Sequence, residues 1–120
     1  MPETEVLFFR DMDDLVPVLN WLDTIPRKAQ NKCIIRIERL SELGYELRRP
    51  EADYLRDGIY ELRSKFQKVN YRILYAYHNK TAVLLHGCTK ERDIDPADIN
   101  IALTRYELFQ SNPGLHTYSE

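Results

Sequence analysis

Apolar positions along this chain recur with two different periods, and the change of period separates a helical region from a strand-rich one. Residues 5–10 (EVLFFR) form a short apolar run that predicts a first strand. Asp13 and Asp14 then supply N-cap chemistry for a helix carrying Leu15, Val18, Leu19 and Leu22 on one side. Pro17 falls in its first turn, where a missing N–H costs little. Pro26 opens a second helix whose apolar positions Ala29, Cys33, Ile37 and Leu40 follow i, i+4, i+8 and i+11. Arg36, Glu38, Arg39 and Glu42 lie off that stripe, and Gly44 is a suitable C′ stop. The two helices are expected to form a hairpin around a Thr24-Ile25 corner.

Residues 45–57 are polar, mixed in charge and broken by Pro50, which predicts a loop anchored to the core by Tyr54 and Leu55. Strand periodicity follows over 59–64, 70–78 and 81–89. Asn79-Lys80 suits a two-residue hairpin turn, and the 65–69 connection is longer and carries two lysines. Asp95 is expected as N-cap of a last helix, with Pro96 at N1, Asp98 in the first turn, and Ile99, Ala102, Leu103, Tyr106 and Phe109 facing the core. From Ser111 onward the composition predicts a frayed tail, so the domain is expected over 1–110 and a flexible tail over 111–120. The element order is β-α-α-β-β-β-α, an α+β fold with a helical hairpin packed on a mainly antiparallel four-stranded sheet.

A chain of 120 residues supports one domain with one core. No stretch approaches the roughly 20 apolar residues of a membrane span, and the N-terminus lacks a basic region followed by an apolar one. A soluble, unexported, cytoplasmic protein is expected. Cys33 and Cys88 stand far apart, with no metal-ligand spacing near any histidine. Reduced core thiols are predicted, and neither metal nor cofactor is called for.

Charge changes the picture. Residues 60–92 hold seven basic side chains against Glu61 and Glu91, a local balance of about +5 in a chain whose net charge is −2. Such a segment suits either a polyanion held at one face of a sheet or an ordinary solvated strand surface.

Several ordered fragments carry a resemblance. They are Trp21-Leu22 with Pro26, Leu40-Ser41-Glu42-Leu43-Gly44, and Leu55 with Gly58-Ile59-Tyr60-Glu61-Leu62-Arg63. Tyr71-Arg72-Ile73-Leu74-Tyr75, Leu84-Leu85-His86-Gly87, and Thr89-Lys90 with Pro96, Ile99 and Ala102 complete the set. Together, over residues 5–109, they resemble the RelE/ParE superfamily of toxins from type II toxin–antitoxin systems, and within it the phage-derived, HigB-like branch. The resemblance implies a ribosome-dependent endonuclease that cleaves mRNA in the ribosomal A site, with ribosomal RNA as a further partner, and inhibits translation. It also implies silencing by a helix-turn-helix antitoxin in a hetero-oligomeric complex. A non-nuclease relative stays open beside it: a ParE-like gyrase poison, or a phage accessory protein that only binds an antitoxin.

Metal-independent cleavage through the RNA 2′-OH needs a base, an acid and cations for the developing phosphorane charge. Arg72 matches the family's strand arginine that holds the scissile phosphate, and Arg63 could share that site or form a structural ion pair. Lys90 and Arg92 follow the last strand, where the family carries a basic residue near the leaving group. Where some relatives carry lysines on the second strand this chain has Tyr60 and Glu61, which leaves Glu51, Glu61 and His86 as candidate bases, Glu51 foremost. Lys65 and Lys68 are candidate RNA contacts, and Tyr75 is a candidate base-stacking residue that would equally serve as core.

Overall fold

A computed structural model describes residues 4–90 and 93–119. Five strands, β1 (Glu5–Phe8), β2 (Ala52–Arg56), β3 (Ile59–Phe66), β4 (Val69–His78) and β5 (Thr81–Lys90), form one sheet in the order β1-β5-β4-β3-β2. β1 runs parallel to β5, and every other pair is antiparallel. Helices α1 (Pro17–Leu22) and α2 (Arg27–Leu43) cover one face of the sheet, and α3 (Pro96–Ser111) covers part of the other.

The expected α+β class stands, with one strand more than expected. β2 occupies a segment read as loop. Its Asp53 and Arg56 are poor strand formers, but an edge strand bonds one neighbour only and tolerates charge. Asp57 and Gly58 both adopt positive φ, 53° and 87°, and turn β2 tightly into β3. Gln67 and Lys68 do the same between β3 and β4, at 50° and 67°, so that connection is a tight hairpin and not a long loop.

Covering both faces explains the continuous burial of β4 from Tyr71 to Ala76. Tyr71, Ile73 and Tyr75 join Val18, Leu22, Ala29, Cys33 and Leu40 on the hairpin side. Leu74 and Ala76 join Phe9, Val83, Ile99, Ala102 and Phe109 on the α3 side. The α2 stripe is as expected, with Ile37 at its margin, and Gly44 ends the helix at φ 52° with its N–H on the Leu40 carbonyl. Gly87 lets the Trp21 ring lie against β5, since a Cβ there would come within 2.3 Å of the ring. Cys33 and Cys88 are free and buried, as expected of core thiols.

Three local expectations are corrected. Val16, not Asp13 or Asp14, is the N-cap of α1 and no side chain caps that helix, while Asp11 Oδ1 accepts from the N–H groups of Asp13 and Leu15 in the turn before it. Tyr54 is exposed on β2, leaving Leu55 as the anchor of that segment. The C-terminal residues do not fray. Arg10 N–H donates to the His116 carbonyl, Tyr118 N–H donates to Phe8, and the His116 ring stacks on Phe9 at 1% exposure. These bonds lay the tail along the outer edge of the first strand.

Candidate functional site

Strand alternation sends Glu61 and Arg63 of β3 to the α3 side, and the register sets Arg72 of β4 directly opposite Arg63. The polar side chains at this end of the sheet meet each other beside the segment that leads into α3. Two arginines face to face repel, and Glu61 resolves the conflict. Its Oε2 accepts from Arg63 Nη1 at 2.8 Å, and its Oε1 lies 3.1 Å from Arg72 Nε. Glu61 and Arg72 are 4% and 6% exposed, while Arg63 is open to solvent over part of its length. Burial, and then the facing Arg63, pull the Arg72 guanidinium below its ordinary value, with Glu61 acting in the opposite direction. Guanidinium is basic enough to stay charged through this.

The pair forms the wall of a cavity of about 370 Å³ that also takes Arg49, Asp53, Asn70 and Ile94 into its lining. Behind it, Arg36 of α2 donates to the Arg63 carbonyl at 2.9 Å. Arg36 and Arg39 both bind Glu51, at 2.8 and 3.1 Å. Arg49 pairs with Asp53 at 2.8 Å. Six arginines (36, 39, 48, 49, 63 and 72) thus crowd one end of the sheet against Glu51, Asp53, Glu61 and Asp93, an excess of two positive charges. Four of the six lie outside the basic segment read from the sequence. Arg36 and Arg39 are i, i+3 neighbours on α2, and Arg48-Arg49 is an adjacent pair before Pro50. Those are the signals that were there to be noticed.

The remaining candidates separate. Lys65 and Lys68 are exposed at the β3–β4 hairpin beside this region, whereas Lys80 sits at the far end of β4 and β5. The basic segment is therefore not one patch. Lys90 is engaged by α3, with its ammonium 3.0 Å from Asp95 and 2.6 Å from Asp98, and these carboxylates hold it well above the ordinary lysine value. Asp95 consequently spends its carboxylate on Lys90 and caps no α3 N–H with its side chain. Glu51 has a carboxylate lowered by its bond to Arg39, so it is poorly shaped as a general base. Tyr75 is 1% exposed between Tyr60 and Tyr77 and cannot stack on a base, so its core alternative holds. Arg92 lies outside the described residues.

His86, Cys88 and Asp98 bring three potential metal-ligating atoms within 4.8 Å of one another. Each already has a role. Arg105 can only donate, so its contact with His86 Nδ1 at 3.2 Å fixes that nitrogen as acceptor and leaves the proton on Nε2, which donates to Asp98 at 2.8 Å. Burial, with Arg105 adding to it, lowers the His86 pKa against the pull of Asp98. Burial pushes the Cys88 thiol up to about 12. Burial also raises Asp98, but the bonds from Lys90 and His86 outweigh it and leave the carboxylate ionised. A divalent ion would have to displace a proton and an ammonium here, so the donor set does not fit a metal.

Residues 20–107 match the model of the phage-derived Gp49-like proteins (DUF891), a family related to RelE and toxin-like proteins. The chain belongs to that family. The matched span runs from α1 through most of α3 and contains the whole Glu61–Arg63–Arg72 group. A comparison with curated proteins finds no significant match. Among the described residues of this Gp49-like chain, no helix is long and apolar enough to cross a membrane.

Proposed function

We propose that this Gp49-like chain is a RelE-like toxin, a ribosome-dependent mRNA endonuclease that stops translation and is silenced by a helix-turn-helix antitoxin. The observation that carries the reading is the side-by-side pair Arg63 and Arg72, pre-aligned by one buried carboxylate at the wall of an open cavity. Two guanidinium groups offer several N–H donors to the non-bridging oxygens of a phosphodiester, and they need no reorganisation as negative charge builds up during in-line attack by the 2′-OH. Glu61 is the positioning residue, because it keeps two like charges adjacent in a buried place. Proton transfer is assigned to no side chain: Glu51 and Lys90 do not line this cavity, and both are committed to ion pairs. The same commitment favours a second reading, in which the chain binds RNA or a protein partner without cutting.

Primer extension on an mRNA translated in vitro separates the two. Wild-type protein should create discrete new 5′ ends within the reading frame, and only with ribosomes present. Arg72→Ala should lose about 100-fold or more of that cleavage, the effect of removing one charge-stabilising donor. Circular dichroism must show the variant still folded. No new ends from folded wild-type protein would remove the nuclease and leave the binding role.

A further inference from the structure

On the hairpin side of the same sheet edge lies a second cavity, of about 500 Å³, whose lining includes Tyr45, Tyr54, Tyr60, Arg48 and Arg49. We infer that this cavity receives an unstacked base of single-stranded RNA whose backbone runs on toward Arg63 and Arg72, an inference that rests on the RNA-directed reading above.

The tyrosines are built for such a role. Tyr45 and Tyr54 are 58% and 52% exposed, unusual for rings of their size, yet both are held in place. Tyr45 stacks on Tyr77 with ring centroids 3.8 Å apart and planes 26° off parallel, and its hydroxyl donates to the Asn79 carbonyl. Tyr54 stands edge-on to Tyr60 at 5.0 Å, and its hydroxyl accepts from the Gly58 N–H at 3.0 Å. Tyr60 in turn stacks on the buried Tyr75. Two exposed rings are thus fixed to a buried aromatic cluster and present apolar surface at little further entropic cost. The volume lies in the range of small-ligand sites.

Charge selects the occupant. Arg48 is exposed and makes no ion pair among the described residues, and Arg49 with Asp53 lines both this cavity and the Arg63–Arg72 cavity. Aromatic rings interleaved with arginines, continuous with a phosphate-sized arginine pair, match a strand carrying both bases and phosphates. An aromatic side chain of a protein partner would use the rings and leave the arginines without a role. A duplex keeps its bases stacked and out of reach, so the strand is single.

The test compares two 2′-O-methyl decamers, which have no 2′-hydroxyl to attack. One carries 2-aminopurine at its centre and the other an abasic unit at the same position. Wild-type protein should bind the base-bearing decamer about fivefold or more tightly than the abasic one and quench its fluorescence, since one base–aromatic stack is worth about 1–3 kcal/mol. Tyr45→Ala/Tyr54→Ala should lose both the margin and the quenching while keeping the salt dependence of the abasic decamer. The single variant Tyr54→Leu, away from the Tyr77 stack, should lose part of the margin even where the double variant folds poorly. Equal affinities for the two decamers in the wild type, or a margin that survives both variants, overturns the base site and leaves the arginine pair standing. Binding of neither decamer overturns the base site together with the RNA-directed reading. A margin in a protein that creates no new mRNA ends keeps the base site and removes the nuclease.

Discussion

Glu51 and Glu61 each sit between two arginines, with β3 in common, and the two clusters have opposite consequences. Arg36 and Arg39 reach Glu51 from α2, the carboxylate is part-exposed, and the backbone carbonyl of Glu51 accepts from Arg63 N–H at 2.8 Å. That cluster is a clamp joining helix, loop and sheet. Arg63 and Arg72 reach Glu61 from neighbouring strands, Glu61 and Arg72 are nearly inaccessible, and the group opens to a cavity. The composition is identical, two guanidiniums and one carboxylate. Solvent access and the rigidity of the supporting element make one a fastener and the other a charge platform. A surplus positive charge in the clamp is screened by water. The surplus at Glu61 sits beside low-dielectric strands and stays available to an anion.

The largest break in this symmetry should come from Glu61→Gln. It leaves two arginines facing each other without their shared anion, and a broken buried pair costs about 3 kcal/mol or more. For a domain of this size that lowers the melting temperature by about 10 °C. Inorganic phosphate should restore part of the loss, because the vacated charge platform now binds a free anion. Equal thermal shifts with and without phosphate would contradict the assignment of that cavity to phosphate.

Glu51→Gln should cost less, about 1 kcal/mol, and phosphate should not restore it, since the pairs are part-exposed and water replaces them. Its pH dependence has a defined sign. The bond to Arg39 lowers the Glu51 pKa from its ordinary value of 4.5, so the stabilisation is fully present above pH 4.5 and disappears as pH falls through the depressed value. The melting-temperature difference between wild type and Glu51→Gln should therefore be level at neutral pH and close in acid. A difference that persists at pH 2 would mean that packing, and not the charge of Glu51, holds the clamp.

How much of this was legible in the sequence depends on how local each feature is. The α2 stripe and strands β3 to β5 follow from spacing along the chain, and Arg63 and Arg72 fall on one face once two antiparallel strands are granted. β2 was hidden by its charges, although Asp57-Gly58 is a strong two-residue hairpin signal and would have revealed it. Tyr75 was misleading because alternation predicts a face but not what covers it, and here helices lie on both sides. The Glu51 clamp was out of reach, since its partners lie 12 and 15 residues away across a helix-to-strand packing that no periodicity encodes. The order of the tail is not legible in composition, because it rests on backbone hydrogen bonds to residues 8 and 10 and on the His116 ring stacked on Phe9, all contacts across more than 100 residues of sequence.

The smallest effect sharpens the comparison most, and it comes from exchanging arginine for lysine in each cluster. Lysine keeps the charge and loses the planar fork. At Arg39 the fork makes two bonds to Glu51, at 3.2 and 3.1 Å, in a place where water can substitute, so Arg39→Lys should cost little stability and leave RNA affinity unchanged. At Arg63 the stability cost should be similar, because an ammonium can still neutralise Glu61. Affinity for the abasic decamer should nevertheless fall several-fold, since the donors that faced the cavity are lost, while its salt dependence keeps the same slope because the charge count is unchanged. Matched stability with divergent affinity is the signature of one clamp and one charge platform. If Arg39→Lys weakens the decamer as much as Arg63→Lys does, the two clusters act as a single basic surface, and the special place given to Glu61 is lost.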